Sequence, residues 1–549
     1  MSNSDIADIL KLFADLSELH DGNPFKIKSY AAAAFRIDKM PLKLADLDLE
    51  KLEKVEGVGK SIAQKIHEIN TTESFTELND LLNLTPTGVL QIMKIKGLGP
   101  KKVELIWKEL GVESIGELIY ACKENRLAQA KGFGLKTQAS VVKQIEFMFV
   151  SANKFHYSKV EILANNLLEE LNPHFDKNIS VCGALRRKME IVDCVEIIIG
   201  DDDFQSAVEI IFNSSILIDP IVDGTTIIGK IENCDVRIYL VRKEEYIQQL
   251  FIKTGSENHI EQLAIKELNI QITSEEEIYS KLNLPFIEPE LREGLFEIEK
   301  AKSGTLKKLI ELSDLKGILH NHSTWSDGLN TIEEMANFCI QHHYEYFGIA
   351  DHSKAAFYAK GLKEDQVLSQ HVEIDKLNDK LFPFKIFKGT ECDILNDGNL
   401  DYSDEILKTF DYVVVSIHSN LKMSEEKAML RLLKAIENPY TSILGHPTGR
   451  LLLIREGYPI DHKKIIDACA ANEVVIEINA NPYRLDIDWR WIDYALNKNV
   501  ILSINPDAHE CDGLHDMYYG TLIARKGGLY KEMCLNAKSR EEITAFFNR

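Results

Sequence analysis

Positive charge, paired cysteine and long apolar runs are what this sequence has little of. Its 549 residues carry 64 lysines and arginines against 86 aspartates and glutamates, a formal charge of −22. That balance excludes a bulk electrostatic binder of nucleic acid, because such proteins hold the phosphate backbone through an excess of Lys and Arg. It leaves room for local contacts through backbone amides and a few lysines, and it suits a protein that collects divalent metals. The nine cysteines are scattered with no C-x-x-C pair, so neither a disulfide framework nor a zinc ribbon is implied, and a reducing cytoplasm is expected. The longest apolar runs, such as "SYAAAAFRI" and "DYVVVSIHS", fall far short of the roughly 18 residues needed to cross a membrane. The opening stretch "MSNSDIADILKLFADLSELH" places acids among its apolar positions and reads as an amphipathic helix, not a secretory signal.

What is there is the composition of a soluble globular protein, 45% apolar and 27% charged, long enough for several domains of about 150 residues each. Up to about residue 150 the pattern is of short helices joined by glycine hairpins. Three similar turns recur, "VEGVGKSIAQKI", "IKGLGPKKVELI" and "AKGFGLKTQASV". Each is an apolar residue, then G-x-G, then a basic residue opening a helix. Such a hairpin exposes backbone N–H groups at a helix N-terminus, a ready phosphate site. The DNA-backbone contacts expected from it are Gly57, Gly59 and Lys60, then Gly97, Gly99, Lys101 and Lys102, then Gly132, Gly134 and Lys136. Lys94 to Lys108 holds five lysines against one glutamate, so positive charge is local although the chain is acidic.

From about 151 the chain changes to mixed helix and strand, "NISVCGALRR", "CVEIIIGD" and "TTIIGKIENCDVRIYLV", which predicts a small antiparallel sheet with helices on one side. A helical segment follows to about 315. Beyond it, seven apolar strands alternate with helices, which predicts a parallel α/β barrel-like domain. Six of the seven strands end in histidine, aspartate or glutamate: His320, His322 and Asp327; Asp351 and His352; Glu391 and Asp393; His418; His446; Asp507 and His509. Eleven of the sixteen histidines lie after residue 315. In α/β barrels the C-terminal rim is where sites are built, so these side chains should converge on one mouth. Imidazoles with carboxylates suit zinc, manganese or iron. The set is too large for one tetrahedral ion and points to two or three, the equipment for metal-assisted phosphoester hydrolysis.

"LHNHSTWSDG", "GIADHS", "KGTECDIL", "VSIHS", "LGHP" and "NPDAH" resemble the motifs of the PHP (polymerase and histidinol phosphatase) domain, a distorted seven-stranded barrel with a trinuclear metal site. The resemblance implies nine ligands: His320, His322, Asp327, His352, Glu391, His418, His446, Asp507 and His509. Asp351, Glu477 and Arg450 are candidates for holding the ligands or facing phosphate. The parts before the barrel resemble bacterial and archaeal family X DNA polymerases with a C-terminal PHP domain. "NPFKIKSYAAAAFRI" matches their DNA-end-binding domain, "GALRR", "CDVRIYLV" and "KTGSENH" their palm and thumb, and "PFIEPELREG" the lead into the barrel. The implied division is a helix-hairpin-helix DNA-end-binding domain over 1–80, a second such fingers-like domain over 81–150, a nucleotidyltransferase palm over 151–240, a thumb-like domain and linker over 241–315, and the PHP domain over 316–549.

One site departs from the family. Aligned on Arg186 and Arg187, the palm has Ala184 for the serine, Cys194 for the first aspartate and Glu196 for the second, and keeps only Asp235. The aromatic pair before Thr-Gly-Ser is Ile252 and Lys253. Two-metal nucleotide transfer needs hard carboxylates, and a 1 Å displacement can cost on the order of a hundredfold. Asp193, three residues before Glu196, would face the other side of the strand. Magnesium in the palm is therefore doubtful, and polymerisation is expected to be lost. In related polymerases the N-terminal domain can also act as a lyase through a Schiff-base lysine; Lys65 falls at that position, an exposed helix lysine being the plainer reading. The function expected is a 3′–5′ exonuclease on gapped or recessed DNA, with 3′-phosphatase or abasic-site endonuclease action open, from a cytoplasmic monomer. Its rivals are an active polymerase with the PHP domain as editor, a non-catalytic repair scaffold, and a small-molecule phosphatase.

Overall fold

The computed structural model describes residues 2–548 apart from 39, 41, 56, 57, 151–153, 265–271 and 454; Gly57 lies outside the described residues. The chain separates into two compact units, Met1–Glu146 and Phe147–Arg549. No helix among the described residues is long and apolar enough to cross a membrane.

The first unit is helical. Asn3–Leu19 begins at Ser2, whose hydroxyl and Asp5 form a capping box, and its apolar face packs Phe13 edge-on against Tyr30 and Phe75. The three glycine hairpins share one hydrogen bond: Val58, Leu98 and Phe133 donate to the carbonyls of Val55, Ile95 and Ala130 at 3.0–3.1 Å. Gly59 and Gly99 then cap the helices Lys60–Thr72 and Pro100–Lys108 with no side chain over the first amides.

In the second unit, a five-stranded sheet runs in the order Ile179–Val181, Cys194–Gly200, Cys234–Val241, Thr226–Ile231, Ile218–Asp223. It is mixed and not antiparallel as expected, because Cys194–Gly200 and Cys234–Val241 lie parallel. Val195, Ile197 and Ile199 point into a core shared with Val160, Leu163, Leu167, Ala207 and Ile211 of two covering helices. Part of the opposite face is also covered, by helix Tyr246–Thr254, whose Tyr246 and Leu250 pack on Ile198.

The last part is the barrel. Gly317–Ile318, Tyr346–Gly348 and Lys385–Phe387 form one parallel sheet, and Gly389–Asp393, Tyr412–Ser416, Ile443–Leu444, Val475–Asn479 and Leu502–Asn505 another. Bridges at His352–Glu391 and Asn321–Ala508 join the two sheets into a closed ring. The third expected strand is thus two, divided at Lys388, whose N–H and carbonyl both turn to Asp411 at 2.7 Å. Beneath the ring, helix Arg540–Phe547 closes the N-terminal end with Phe547 stacked on Tyr412 at 5.0 Å. Side chains at the other end are left to build a site.

Candidate metal centre

The strand ends bring all nine expected ligands to the barrel mouth. Their donor atoms fall into overlapping groups: His322, Asp327, His352 and His509; His320, His322, Glu391 and Asp507; His352, Glu391 and His418. His446 joins them through Nε2, 2.8 Å from Glu391 Oε1. Glu391 is the hub, also lying 3.1 Å from His418 Nε2 and 3.0 Å from His352 Nδ1. The ring of His322 is stacked between those of His352 and His509, with centroids 4.4 and 4.2 Å apart.

Three of the nine, His320 (φ +56°), His446 (φ +22°) and Asp507 (φ +54°), sit in the left-handed region. That conformation costs a non-glycine residue roughly 1 kcal/mol or more and persists where the surroundings over-determine it, as at ligand clamps. The electrostatics favour cations. Asp327, Glu391 and Asp507 are buried, and buried carboxylates must be paired or coordinate a metal. Burial alone would raise Glu391, but His418, His320 and His352 hold its carboxyl well below the usual range. The reverse holds at His320: burial is outweighed by Glu477, Asp507 and Glu391, and its pKa rises well above that of a free imidazole. His322 is pushed down, to about 3, by burial and then by His509 and His352, so it stays a neutral lone-pair donor. Its Nδ1, like Nε2 of His320, is buried without a hydrogen-bond partner. Such donor atoms fit a cluster of divalent ions, provided mainly by nitrogen and carboxylate oxygen.

Orientation of the imidazoles comes from behind. Glu477 accepts from His320 Nδ1 at 2.5 Å, from the His446 amide at 3.1 Å, and from Asn479 and Asn505 at 3.2 and 2.9 Å. Asp393 holds Nδ1 of His418 at 3.1 Å. A carboxylate on the far ring nitrogen fixes the tautomer and aims the other nitrogen at a metal. Sequence reasoning missed Asn479, Asn505 and Arg484, the last 3.9 Å from Asp507. The two asparagines stand on the Glu477 strand and its neighbour, and polar residues at i+2 on a buried strand are the signal that could have found them.

Asp351 and Arg450 lie elsewhere in the fold's logic. Asp351 accepts from the amide and hydroxyl of Ser323, the hydroxyl of Ser326 and the amide of Gln370, all within 2.7 Å. Those four bonds use it to anchor the loop after His322. Arg450 spends its guanidinium on the carbonyls of Arg484 and Leu485 and on Asp488.

In the palm, Cys194 pairs in register with Asp235, and Glu196 with Arg237, so Cys194, Glu196 and Asp235 share one face. Asp193 precedes the strand and is exposed. Burial and then the charge of Glu196 push the Cys194 thiol up to about 12. Glu196 accepts from Tyr239 Oη at 2.9 Å and lies over Gly183, where a Cβ would meet its Oε2 at 1.8 Å. Ala184 lies within the short helix Gly183–Arg186, partly buried against the palm core. Asp235 has Lys230 at 3.7 Å, and Lys253 covers the Tyr239 ring at 4.1 Å. Arg187 is drawn off the site by Glu293 and the Thr254 carbonyl, both at 2.8 Å.

In the first unit, a Cβ added at Gly59, Gly97, Gly99, Gly132 or Gly134 would meet nothing within 4 Å, and Gly97 and Gly132 need positive φ. These turns therefore present bare backbone. Lys60, Lys101 and Lys136 are exposed; Lys102 bends back to the Gly97 carbonyl at 3.3 Å and over the Phe133 ring. Lys65 is part-buried between Glu77 and Glu68. Burial lowers its pKa, but the two carboxylates outweigh it and hold the amine above its ordinary value, the wrong direction for a Schiff-base nucleophile.

Known proteins match this arrangement part by part. Residues 1–75 match a helix-hairpin-helix domain, 89–146 a SAM-like helix-hairpin-helix tandem, and 319–481 a PHP domain. The chain is 34% identical to the DNA polymerase/3'-5' exonuclease PolX of Bacillus subtilis (strain 168) over 573 aligned residues, covering 100% of both chains. Over 170 residues the chain is 35% identical to a probable phosphatase of Thermoanaerobacter sp. (strain X514), 29% of this chain and 67% of that protein. A probable phosphatase of Acetivibrio thermocellus is 29% identical over 171 residues, 30% of this chain and 65% of that one. A relative matched from end to end, with the hairpin and barrel parts matched separately, settles the kinship: the chain belongs to the PolX-type family X DNA polymerases that carry a C-terminal PHP domain.

Proposed function

We propose that this protein is a metal-dependent phosphoesterase acting on DNA ends as a 3′–5′ exonuclease, and that its palm no longer supports efficient nucleotide transfer. The observation carrying this reading is the contrast between the two sites: nine ligand side chains converge in the barrel, while on the palm face a neutral thiol stands opposite Asp235. Two or three divalent ions (manganese, zinc or iron) bound by the nine residues would polarise a phosphodiester and supply a water nucleophile at neutral pH. The protein's own share is to hold the donors ready. Glu477 and Asp393 fix the ring orientations of His320 and His418, and His322 stays neutral. The glycine hairpins Val58–Lys60, Leu98–Lys101 and Phe133–Lys136 offer amides to the DNA backbone, consistent with the full-length likeness to a polymerase/3'-5' exonuclease.

The likeness of part of the chain to probable phosphatases favours a second use of the barrel site, removal of a 3′-terminal phosphate. The test is a 3′-recessed, 5′-labelled duplex incubated with manganese, with and without the four deoxynucleotides. Shortening that persists with nucleotides and disappears in His320→Ala but not Asp235→Ala is the expected result. Extension abolished by Asp235→Ala would overturn the reading of the palm.

A further inference from the structure

The loop that leaves the ligand His352 is built to stay in place. It begins and ends at one point: the Leu362 amide donates to the His352 carbonyl at 2.8 Å, and Ser353 bridges to Leu362. Inside, the amides of Ala356, Ala359 and Gly361 close successive turns at 3.0 Å. Gly361 presses so closely on the Ser353 carbonyl that a Cβ would lie 1.8 Å from its oxygen. From outside, Asp401 accepts the Ala355 amide at 2.6 Å, and the Tyr402 hydroxyl donates to the Leu362 carbonyl at 2.5 Å. Lys354 adds an ion pair to Glu364 at 2.5 Å.

The tip of this braced loop is the single turn Phe357–Ala359, and Phe357 is 79% exposed. A phenyl ring held in water is unfavourable by its whole apolar area, and loop tips normally carry small polar residues. Here the ring stands on a fixed support. A rigid mount with two side-chain torsions gives a contact surface with little entropy to lose on binding. Phe357 is also only five residues from His352, so their Cα atoms are at most about 18 Å apart. The ligand that combines a phosphoester with a flat apolar face is a nucleotide strand, and a base stacked on an aromatic ring needs no particular sequence.

We propose that Phe357 is a stacking platform for a base near the 3′ end of the strand being cut, a positioning residue that deepens, and rests on, the phosphoesterase reading above. It grips the base and leaves the reacting phosphate to the metal ligands, so its loss weakens binding and spares the chemical step.

The test uses the full-length protein as wild type, Phe357→Ala, Phe357→Leu and Phe357→Trp. Single-stranded oligonucleotides carry 2-aminopurine, or an abasic tetrahydrofuran, at the terminal, second or third position from the 3′ end. In manganese-supported cleavage, Phe357→Ala is expected to raise KM about tenfold with kcat within twofold. Phe357→Trp restores KM and Phe357→Leu does not. An abasic residue at the stacking position raises the wild-type KM to that of Phe357→Ala. Before manganese is added, wild-type protein quenches 2-aminopurine at that same position, and Phe357→Ala does not. Equal KM and equal quenching in wild type and Phe357→Ala would overturn the platform. Phe357-dependent quenching with no cleavage under any divalent ion would overturn the exonuclease reading and keep the platform.

Discussion

The palm face and the barrel mouth start from the same device, carboxylates aligned on one side of parallel strands, and they are built around it in opposite ways. In the barrel, Glu391 lies within 4 Å of His320, His322, His352, His418 and His446, and every member of the cluster except His418 is buried. Deleting one member strands the others as buried, unpaired charges, which is expensive. In the palm, Glu196 and Asp235 are partly exposed and each is satisfied by one neighbour, Tyr239 or Lys230. A site whose parts are solvated and separately satisfied can change residue by residue without unfolding the sheet. A buried charge cluster changes as a whole or not at all.

The strongest way to break this comparison is at the hub. Glu391→Ala should lower metal-dependent cleavage by a thousandfold or more, since a site of this kind is asked for several kcal/mol of transition-state stabilisation, at about 1.4 kcal/mol per factor of ten. Asp235→Ala should leave the same rate unchanged. Metal removal by chelation should lower the unfolding temperature of wild type but not of Glu391→Ala. Because His320 and His418 are raised well above a free imidazole by the neighbouring carboxylates, metal must displace protons there, and its affinity should fall as pH falls; proton release on titrating the metal-free protein reads this directly.

Next in size is the fate of the palm's arginines. Arg186 forks onto Glu275 at 3.0 and 2.5 Å, and Glu275 also meets the fully buried Arg292 at 2.5 Å. Glu275→Gln leaves two guanidinium groups facing a neutral amide, and breaking a buried pair on one side costs about 3–5 kcal/mol, to be read from the denaturant midpoint. Burial raises the Glu275 pKa, but the two arginines outweigh it and hold the carboxyl below 4.5. A depressed carboxylate contributes its full stability above the unfolded value and loses it as pH falls through the folded one. The gap between wild type and Glu275→Gln should therefore be full at neutral pH and close in acid.

Much of the barrel was legible because packing alone gives no reason for strand after apolar strand to end in a histidine or an acid, and all nine expected positions meet at the mouth. The same signal picked out Asp351, a strand-end acid whose partners Ser323, Ser326 and Gln370 arrive only with the tertiary fold, so which of its two expected roles it takes was not legible. The division of the third strand at Lys388 had no break in sequence to announce it, only the approach of Asp411. Arg186 and Arg187 read as palm residues, but their partners lie 89 and 106 residues away, beyond any local pattern. Parallel pairing of Cys194–Gly200 with Cys234–Val241 was equally hidden, because hydrophobic alternation fixes which face is buried and not strand direction.

Restoring the palm sharpens the comparison from the other side. Cys194→Asp with Glu196→Asp adds one carboxylate and shortens another on the face that already carries Asp235. Primer extension with magnesium should rise on the order of a hundredfold over wild type, and either single change should do much less. No gain would mean that Lys253 on Tyr239 and the missing aromatic pair, and not the carboxylates, now block the incoming nucleotide.

The smallest effect tests whether the barrel is rigid beyond its ligands. Glu477 touches His320 only through Nδ1, and its other oxygen takes the amides of His446 and Asn479. Glutamine keeps the shape, but its one carbonyl can serve only one of these sides, so its amino group must face another donor. The His320 ring then loses its fixed tautomer or His446 loses its backbone anchor. Losses from this kind of supporting carboxylate run about 10–100-fold in metal affinity or activity. Glu477→Gln should therefore cut more slowly at low manganese and recover toward wild type as manganese is raised, whereas Glu391→Ala should not recover at any concentration. Recovery in both would mean that the cluster tolerates piecemeal loss as the palm does, and that burial does not distinguish the two sites.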